Sequence, residues 1–572
     1  MSVSRVLVEK NISIPLRDGI VTRADLYRPA DGPATPAIVT RTPYDKERTG
    51  AGLVAVMPSA LKMAERGYAV VVQDTRGRYA SEGVFEPFMD EGPDGYDTIE
   101  WIAAQQWCEG GVAIYGPSYV GATTMLAARE QPPSLKCAIP IITADDYYDG
   151  WTYQGGAYQL GFATLWGMGL ATALFEGQER GLDPAHRTEL IAALNAAPAT
   201  LARRPLSAIA GISNEVAPWW KDWIAQERRS DYWERVRPSA EYSRFNVPMF
   251  HVGGWFDIFG LGTVRNFRGI SDASVAPQHL LMGPWAHTYY DRYLGELDFG
   301  TTGGANDAGV VGLYARFLDR HLRGRETTIP TVTYFVMGAN EWRTSESWPP
   351  PEATPQRWYL HSDGAANSAR GDGALTIEAA RGSETPDRYL YNPDRPVPTE
   401  GGATLQGGVG LPGPRDQRAV EARDDVLCYT SAALNVPLTL AGPVEVSLWA
   451  VTDAPDTDFT AKLVDVHPDG RAVSLSDGIL RARFRDSFSE PSAVVPGEPT
   501  CYRIDLASTA YRFAEGHRVR LEISSSNFPR FAANPNTGGP LATEAKVRPA
   551  FQEVLHDSGH PSALECFALP AG

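Results

Sequence analysis

The stretch from Gly111 to Thr124 constrains the fold of this chain more than any other. The β-forming run from Val112 to Tyr115 ends at Gly116, and small and apolar residues suited to a helix begin directly after Ser118. This order predicts a strand, a sharp turn and a helix. The Ser118 hydroxyl then lies at the apex of the turn, with the N-terminal amide groups of the helix pointing at it. The stretch therefore has the form of a nucleophile elbow.

The spacing of the glycines departs from the commoner elbow motif. The chain has G-x-S-x-x-G, ending at Gly121, whereas the commoner motif is G-x-S-x-G, and Val120 occupies the position of the second glycine. A serine that only caps a helix after a glycine turn would produce a similar pattern. The stretch alone leaves both interpretations open.

Strands and helices alternate on both sides of the elbow. Strand-like apolar runs occupy residues 12–16, 21–27, 37–40, 68–72, 137–142, 247–252 and 279–282. Helical spacing occupies residues 56–66, 94–107, 259–268 and 310–322. Strands that alternate with helices of this kind predict a parallel sheet with crossover helices.

Two other regions interrupt and follow this pattern. Between residues 145 and 241 there are no strand-like runs but there are helical patterns and many aromatic residues, which predicts a helical cap. After the three prolines at 349–351 the helical period disappears, and short alternating segments between turns predict a jelly-roll β-sandwich. We expect a catalytic domain at 1–144 and 244–350, a cap at 145–243 and a jelly roll at 351–572.

A serine nucleophile needs a base and a carboxylate that orients the base, both at the carboxyl ends of later strands of the same sheet. The strand ending at Val252 is followed by Asp257, and the strand ending at Met282 is followed by His287, each after a glycine-containing turn. The order Ser, Asp, His is that of the α/β-hydrolases. The predicted fold class is therefore α/β, an α/β-hydrolase domain with an inserted helical cap and a C-terminal β jelly roll.

Composition and charge exclude several function classes. The 69 acidic and 52 basic side chains give a net charge of −17, which opposes binding to nucleic acid and to anionic membranes. The five cysteines are far apart and form no C-x-x-C pair, as expected of reduced thiols. The N-terminus carries no apolar targeting region, and no long apolar span occurs. We expect a soluble, cytoplasmic protein without a nucleic-acid or membrane partner.

Other patterns offer no cofactor or metal site. Residues 408–413 fit G-x-G-x-x-G, but no buried strand precedes them and no helix follows, as a dinucleotide site would require. No H-E-x-x-H or paired-cysteine pattern occurs, and we interpret Asp453, Asp456 and Asp458 as turn residues. We expect neither a cofactor nor a metal.

The motifs near the predicted strand ends resemble those of a known family. They are R-T-P-Y at 41–44, Q-D-T-R-G-R at 73–78, G-P-S-Y-V-G at 116–121, G-W-F-D at 254–257 and G-P-W-A-H at 283–287, with further matches at 456–463 and 524–529. The chain resembles, over its whole length, the cocaine esterase, α-amino-acid ester hydrolase and X-Pro dipeptidyl peptidase family of serine hydrolases, with the bacterial cocaine esterases as the nearest branch. The family pattern G-x-S-Y-x-G accounts for the missing second glycine.

The resemblance implies the catalytic roles. Ser118 would be the nucleophile, His287 the general base and acid, and Asp257 the carboxylate that holds the imidazole. The backbone amide of Tyr119 and the phenol of Tyr44 would form the oxyanion hole, since a tyrosine hydroxyl can stabilise an oxyanion as an amide does. A surface loop tyrosine is the alternative interpretation of Tyr44.

The resemblance also implies the lining of the acyl pocket. Trp151, Trp166 and Phe259 occupy the places of its aromatic residues, with core filling as the alternative for each. The nearest branch has bulky apolar residues in a pocket-facing loop of the jelly roll, where this chain reads T-L-Q-G-G-V-G at 404–410. We therefore expect a different pocket wall at 404–413.

A group of three carboxylates follows the sheet at the start of the cap. Asp145, Asp146 and Asp149 could hold a substrate ammonium group, as carboxylates do in the amino-acid ester branch. We favour a solvated hinge of the cap.

The function predicted from these features is that of a cofactor-independent serine carboxylesterase. It would hydrolyse small-molecule esters with small apolar or aromatic acyl groups through an acyl-enzyme. The alternatives are an acylase or an X-Pro or α-amino-acid ester or amide hydrolase and, from another class, an inactive hydrolase scaffold with a binding jelly roll. Assembly into a homodimer is left open.

Overall fold

Two large β-sheets organise the chain. The computed structural model describes residues 5–52, 54–176, 181–209, 211–405 and 410–570. One sheet has ten strands and the other has eleven. This architecture agrees with the predicted combination of an α/β domain and a β-domain.

The N-terminal part supplies six strands of the ten-stranded sheet. These are β1 (Val6–Pro15), β2 (Val21–Pro29), β3 (Thr35–Thr42), β4 (Ala69–Asp74), β5 (Cys108–Pro117) and β6 (Leu135–Ile141). The helices are α1 (Lys46–Ala51), α2 (Ala60–Glu65), α3 (Glu91–Ala103) and α4 (Tyr119–Arg129). Strand β4 is buried along its whole length, as is typical of a strand inside an α/β sheet, where helices cover both faces.

The segment that follows β6 is mostly helical. It contains β7 (Tyr153–Gln154), β8 (Ala157–Tyr158), α5 (Leu160–Thr172), α6 (Pro184–Asn195), α7 (Ala197–Leu201), α8 (Pro218–Ala225) and α9 (Asp231–Glu234). The expectation of an entirely helical cap was wrong, because β7 and β8 pair in a small antiparallel hairpin. The hairpin turns at Gly155, where φ is +54° and a Cβ would lie 2.0 Å from the Ile479 carbonyl oxygen of the β-domain. Glycine is therefore required at this close approach.

The chain then returns to the ten-stranded sheet. The elements are β9 (Met249–Phe256), α10 (Gly260–Ala273), β10 (Gln278–Ala286), the hairpin β11 (Tyr293–Leu294) and β12 (Leu297–Asp298), α11 (Val310–Arg323), β13 (Val332–Val336) and β14 (Glu341–Ser345). The strand order is β1-β2-β4-β3-β5-β6-β9-β10-β13-β14. The pairings from β4 through β13 are parallel and those at the two edges are antiparallel. The carboxyl ends of β5, β9 and β10 consequently meet at one edge of the sheet.

The C-terminal part forms the eleven-stranded sheet. Its strands are β15 (Thr354–His361), β16 (Ala374–Thr376), β17 (Asp387–Tyr391), β18 (Leu427–Thr430), β19 (Leu438–Thr452), β20 (Asp458–Val466), β21 (Ala472–Arg481), β22 (Thr500–Phe513), β23 (Arg518–Ser524), β24 (Ala550–Leu555) and β25 (Ala563–Ala568). Apart from the short β16–β18 contact, the strand pairings in the described part of this sheet are antiparallel.

The two sheets share one apolar core. Trp255 and Phe335 of the ten-stranded sheet belong to the same buried cluster as the interior of the eleven-stranded sheet. The Met337 N–H donates to the Ala510 carbonyl over 3.0 Å, and the Arg512 N–H donates to the Met337 carbonyl over 2.8 Å. The β-domain is therefore packed and hydrogen-bonded against the α/β domain.

We propose the predicted domain boundaries for these parts. The limits at 144 and 243 fall between the end of β6 and the start of β9, and the limit at 350 falls between β14 and β15. In the described ranges, no helix has the length and apolar character needed to cross a membrane.

Candidate active site

Ser118 lies in the turn between β5 and α4. Its backbone has φ 60° and ψ −125°, a conformation that non-glycine residues rarely adopt and that is often found at functional sites. Its N–H donates to the Ile141 carbonyl over 2.9 Å, which holds the turn against β6. The Ser118 side chain makes no capping hydrogen bond to α4. The interpretation of Ser118 as only a helix cap does not describe this turn.

The unusual glycine spacing follows from packing around the elbow. A Cβ on Gly116 would lie 2.1 Å from Cγ1 of Val120, so the Val120 side chain fills the space that a side chain at 116 would need. A Cβ on Gly121 would lie 2.8 Å from Cβ of Thr143 and 2.9 Å from the Ile141 oxygen. Glycine is therefore needed at 116, against the Val120 side chain, and at 121, against Thr143 and the Ile141 backbone.

His287 and Asp257 lie beside Ser118. Asp257 directly follows β9, and His287 directly follows β10. The His287 Nε2 atom is 2.9 Å from Ser118 Oγ, and the His287 Nδ1 atom is 2.9 Å from Asp257 Oδ2. Asp257 Oδ1 accepts a 2.7 Å hydrogen bond from the Phe259 N–H. A carboxylate next to Nδ1 favours the tautomer with its proton there, which leaves Nε2 able to accept the Ser118 proton.

Tyr44 follows β3 and faces the same edge of the sheet. Its N–H donates to Thr42 Oγ1 over 3.0 Å, and the Lys46 N–H donates to Asp74 Oδ1 over 2.7 Å, so hydrogen bonds fix the loop on both sides of Tyr44. The Tyr44 oxygen accepts a 3.0 Å hydrogen bond from the Trp166 indole N–H. Burial raises the pKa of the Tyr44 phenol to about 12, and the Trp166 hydrogen bond only partly opposes that rise. Tyr44 thus keeps its proton at neutral pH and can donate it.

The Tyr119 backbone offers a second donor. Tyr119 is the first residue of α4, and the first amides of a helix have no carbonyl acceptor within the helix. Its side chain is fully buried and bonded to other groups, with the hydroxyl donating to Glu91 Oε1 over 2.9 Å. The geometry therefore leaves the amide, not the phenol, of Tyr119 for the site.

The three predicted pocket aromatics form one cluster. Trp151 and Phe259 stack with ring centroids 4.1 Å apart and planes 11° apart. Phe259 packs edge-on against His287 at 5.1 Å, and Trp166 lies 5.3 Å from Trp151. The structure therefore brings Trp151, Trp166 and Phe259 together next to the imidazole of His287.

Comparisons with known proteins show the family of the chain. Residues 18–289 match the X-Pro dipeptidyl-peptidase (S15 family), and residues 325–565 match the X-Pro dipeptidyl-peptidase C-terminal non-catalytic domain. A cocaine esterase from Rhodococcus sp. (strain MB1 Bresler) is 38% identical over 569 residues, which cover 97% of this chain and 98% of that protein. The chain belongs to the X-Pro dipeptidyl-peptidase (S15) family. It is a serine hydrolase, and the predicted family and fold class are confirmed.

Two solved structures of similar proteins span the same architecture. An aminopeptidase from a marine sediment archaeon, Thaumarchaeota archaeon, has a TM-score of 0.83 at 27% identity and covers 99% of this chain and 97% of its own. An α-amino acid ester hydrolase has a TM-score of 0.83 at 26% identity with the same two coverages. Both structures therefore share the fold of this chain along nearly its whole length.

The predicted pocket loop is only partly described. Leu405 packs against the aromatic cluster, whereas residues 406–409 lie outside the described residues. The expected change in the pocket wall at 404–413 stays a prediction.

One contact at this S15 site was missed by sequence reasoning. Trp166 was predicted as a pocket wall, but its indole N–H also holds the Tyr44 oxygen. The two residues are 122 positions apart, so no local pattern could indicate the bond.

The carboxylates at the start of the cap are not a solvated hinge. Asp145, Asp146 and Asp149 are all buried. Arg265 on α10 contacts Asp149 over 2.9 Å and lies 4.0 Å from Asp145. Arg229 pairs with Asp146. The expectation of solvent exposure was wrong, because arginines from other segments pack over these carboxylates and pair with Asp146 and Asp149.

A similar correction applies to the β-domain. Asp453 and Asp456 lie in the turn between β19 and β20, as predicted, whereas Asp458 is the first residue of β20 and is buried. Asp458 binds the Arg481 guanidinium through two hydrogen bonds of 2.9 and 3.0 Å. Asp458 is therefore the ion-pair partner of Arg481 in the interior of the β-domain.

One group in the described part of the chain has donor atoms close enough to hold a metal ion. It consists of Asp465, His467 and His517, in the β-domain. Tyr511 already donates to Asp465 over 2.7 Å, and Arg471 Nη2 lies 3.1 Å from His467 Nδ1. The His517 Nδ1 atom also lies 2.9 Å from Asp465 Oδ1, and the absence of a metal stays a prediction.

The buried Asp145 leads to a prediction about stability. Burial raises the pKa of its carboxyl to about 7, although Arg265 opposes the rise. The folded state therefore keeps this proton at pH values where the unfolded chain has lost it, and the contribution of this carboxyl to stability falls as pH rises from about 4 to about 7. The Asp145→Asn variant has no carboxyl at this position, so this fall in stability with rising pH is absent. We expect the difference in unfolding free energy, variant minus wild type, to rise by about 3 kcal/mol between these pH values.

Urea unfolding of both proteins across this pH range measures the difference. A difference that does not change with pH would contradict the prediction, whatever its sign.

Proposed function

We propose that this S15 hydrolase is a serine carboxylesterase that acts through an acyl-enzyme. The observation that carries the proposal is the continuous hydrogen-bonded chain from Ser118 through His287 to Asp257 at the carboxyl edge of the parallel sheet. Ser118 is the nucleophile, His287 the general base and acid, and Asp257 orients the imidazole.

The proposed reaction uses these residues in two half-reactions. Ser118 Oγ attacks the ester carbonyl carbon as its proton moves to His287 Nε2, and the carbonyl oxygen becomes an oxyanion. The phenol of Tyr44 and the amide of Tyr119 stabilise that oxyanion. Collapse releases the alcohol with the proton from His287 and leaves an acyl-serine. Water then attacks the acyl group with His287 again as base, which releases the acid and restores Ser118.

The proposed substrates have small apolar or aromatic acyl groups. The cluster of Trp151, Trp166 and Phe259 beside the imidazole supports this class, because an apolar wall favours rings and penalises an unpaired charge. The similarity to a protein named cocaine esterase supports an ester as the bond that is cleaved. No cofactor or metal takes part in the proposed mechanism.

An amide or α-amino-acid ester hydrolase is the second candidate. The similarity to an aminopeptidase and to an α-amino acid ester hydrolase favours it. However, Asp146 and Asp149 of the acidic group are paired with Arg229 and Arg265, so these two carboxylates are not free to bind a substrate ammonium. This pairing favours a neutral ester over a substrate with a free α-amino group.

A substrate screen tests the choice between the two candidates. Aryl esters of acetic, benzoic and longer acids are compared with α-amino-acid esters and amides at equal concentration. We expect the neutral acetyl and benzoyl esters to have the highest kcat/KM. A preference for substrates with a free α-amino group would contradict the proposal.

Labelling with a fluorophosphonate separates an enzyme from an inactive scaffold with a binding β-domain. We expect stoichiometric labelling of the wild type and none of the Ser118→Ala protein. An unlabelled wild type would favour the scaffold.

The proposed environment follows from the charge of the chain. We propose that the protein acts in the cytoplasm without nucleic-acid or membrane partners, since a net charge of −17 opposes both. A homodimer stays a prediction, which a mass measurement in solution decides.

The aromatic pocket is tested by Trp151→Ala. Trp151 is fully buried against Phe259, and the loss of a ring contact is worth up to about 1.5 kcal/mol, roughly a factor of ten in rate. We expect kcat/KM for a benzoyl ester to fall roughly ten times more than that for the matching acetyl ester.

Trp233→Ala is the matched control. Trp233 is an equally buried tryptophan of the cap, but its ring contacts are with Tyr148, Tyr153 and Tyr232. We expect it to affect both esters equally. Equal losses on both esters in Trp151→Ala would mean that Trp151 only supports the cap.

A further inference from the structure

Two hydrogen bonds fix the Tyr119 hydroxyl, which acts as a donor in one and as an acceptor in the other. Its hydroxyl donates to Glu91 Oε1 over 2.9 Å and accepts from the Phe88 N–H over 2.8 Å. Its ring stacks on Phe88 at 5.0 Å, and the residue is fully buried. The Tyr119 phenol is therefore anchored to the start of α3, and the backbone amide of the same residue is the proposed oxyanion donor.

Glu91 in turn is paired with Arg41. Glu91 Oε2 lies 3.0 Å from Arg41 Nη1, which also donates to the Glu91 carbonyl over 2.7 Å. Arg41 Nε donates to Gln73 Oε1 over 2.8 Å. Arg41 is fully buried and Glu91 nearly so. Three neighbouring elements, β3, β4 and α3, thus meet at one buried guanidinium.

This network reaches both proposed oxyanion donors. Arg41 is on β3, three residues before Tyr44, and its carbonyl accepts a 3.0 Å hydrogen bond from Thr123 on α4. Tyr119 is the first residue of α4, and its hydroxyl donates to Glu91, the residue that pairs with Arg41. The strand that presents the phenol and the helix that presents the amide are therefore joined through Arg41 and Glu91.

We propose that the Tyr119 side chain and Glu91 are positioning residues that hold the Tyr119 amide and the Tyr44 phenol in register as an oxyanion hole. This inference rests on the proposed esterase function. Donors act on an oxyanion only over a narrow range of distance, and a misplacement of about 1 Å can lower a rate roughly a hundredfold. The network restricts that distance, because a buried carboxylate that is ion-paired with an arginine and hydrogen-bonded to a phenol cannot shift without leaving one of them unpaired.

The substitution Tyr119→Phe tests the proposal with the smallest change. It keeps the backbone amide and the stacked ring and removes only the hydroxyl that binds Glu91. We expect kcat for a neutral aryl ester to fall roughly 10- to 100-fold, with KM changed less than about twofold. The inhibition constant of an aryl boronic acid, whose serine adduct places an oxygen in the oxyanion hole, should rise by a similar factor.

Two further variants complete the experiment. Tyr314→Phe is the matched control, since Tyr314 is a buried tyrosine of α11 whose hydroxyl has no hydrogen-bond partner among the described residues. Its kinetics should equal those of the wild type. Glu91→Gln keeps an acceptor for the Tyr119 hydroxyl, so its kcat should lie between those of the wild type and Tyr119→Phe.

The outcomes separate positioning from support of the core. A folded Tyr119→Phe protein with unchanged kcat, even if it melts at a lower temperature, would overturn the proposal. So would equal changes in kcat and KM, or a lowered kcat with an unchanged boronic acid constant. Failure of the proposed esterase function is distinguishable, because it would show first as a wild type that hydrolyses no ester and resists the fluorophosphonate.

Discussion

Replacement of Ser118 by alanine is expected to lower kcat for a neutral ester by roughly four to six orders of magnitude. The reason is that Ser118 Oγ, 2.9 Å from His287 Nε2, is the atom proposed to attack the carbonyl carbon. Because the Ser118 side chain does not cap α4, its removal should leave the melting temperature close to that of the wild type. Steady-state hydrolysis and thermal melting of the same preparation check both expectations.

Ser59 provides a control, because its replacement should lower stability without lowering activity. Ser59 caps α2, with its hydroxyl accepting from the Lys62 N–H over 3.3 Å. Ser59→Ala should lower stability by about 0.5–2 kcal/mol and leave kcat unchanged. If Ser118→Ala retained a tenth of the wild-type rate, another residue would be the nucleophile.

Replacement of Tyr44 by phenylalanine is expected to lower kcat by about 10²–10³ with little change in KM. The substitution removes only the phenolic donor, and the ground-state ester makes little use of that hydrogen bond. Burial raises the pKa of this phenol to about 12, so its proton is present throughout the neutral range. The ratio of wild-type to variant kcat should therefore be the same across neutral and mildly alkaline pH.

Measurements of kcat and KM for one acetyl ester over that pH range check the prediction. Trp166→Phe is a useful companion, since it removes the N–H that fixes the Tyr44 oxygen. We expect it to lower kcat less than Tyr44→Phe does. An unchanged kcat in Tyr44→Phe would assign the second donor to the backbone and leave Tyr44 as pocket lining.

The parts of the site that lie at strand ends could be predicted from the sequence. Parallel strands converge at one edge, so Ser118, Asp257 and His287 could be expected to meet although they are far apart in the chain. The elbow has a local pattern, and its glycines mark close backbone approaches at 116 and 121. The catalytic roles themselves stay a proposal until the variants are measured.

The parts that depend on long-range pairing could not be predicted. Arg265 meets Asp149 across 116 positions and Asp505 across 240, so nothing near the acidic residues indicates that they are buried. The hydrogen bond between Trp166 and Tyr44 could not be predicted either, because the two residues are 122 positions apart. The hairpin of β7 and β8 was missed for a different reason, since two-residue strands are too short to show an alternating pattern.

The shared apolar core of the two sheets bears on how the protein unfolds. Trp255 and Phe335 face the interior of the β-domain, and the Met337 backbone is bonded to β22. Arg265 adds an ionic link from α10 to both the start of the cap and Asp505 of β22. A fragment ending at residue 350 would therefore expose apolar surface and leave Arg265 without one partner. We therefore expect the three parts to lose their structure together, in one cooperative thermal transition, and the hydrolytic activity to be lost at the same temperature.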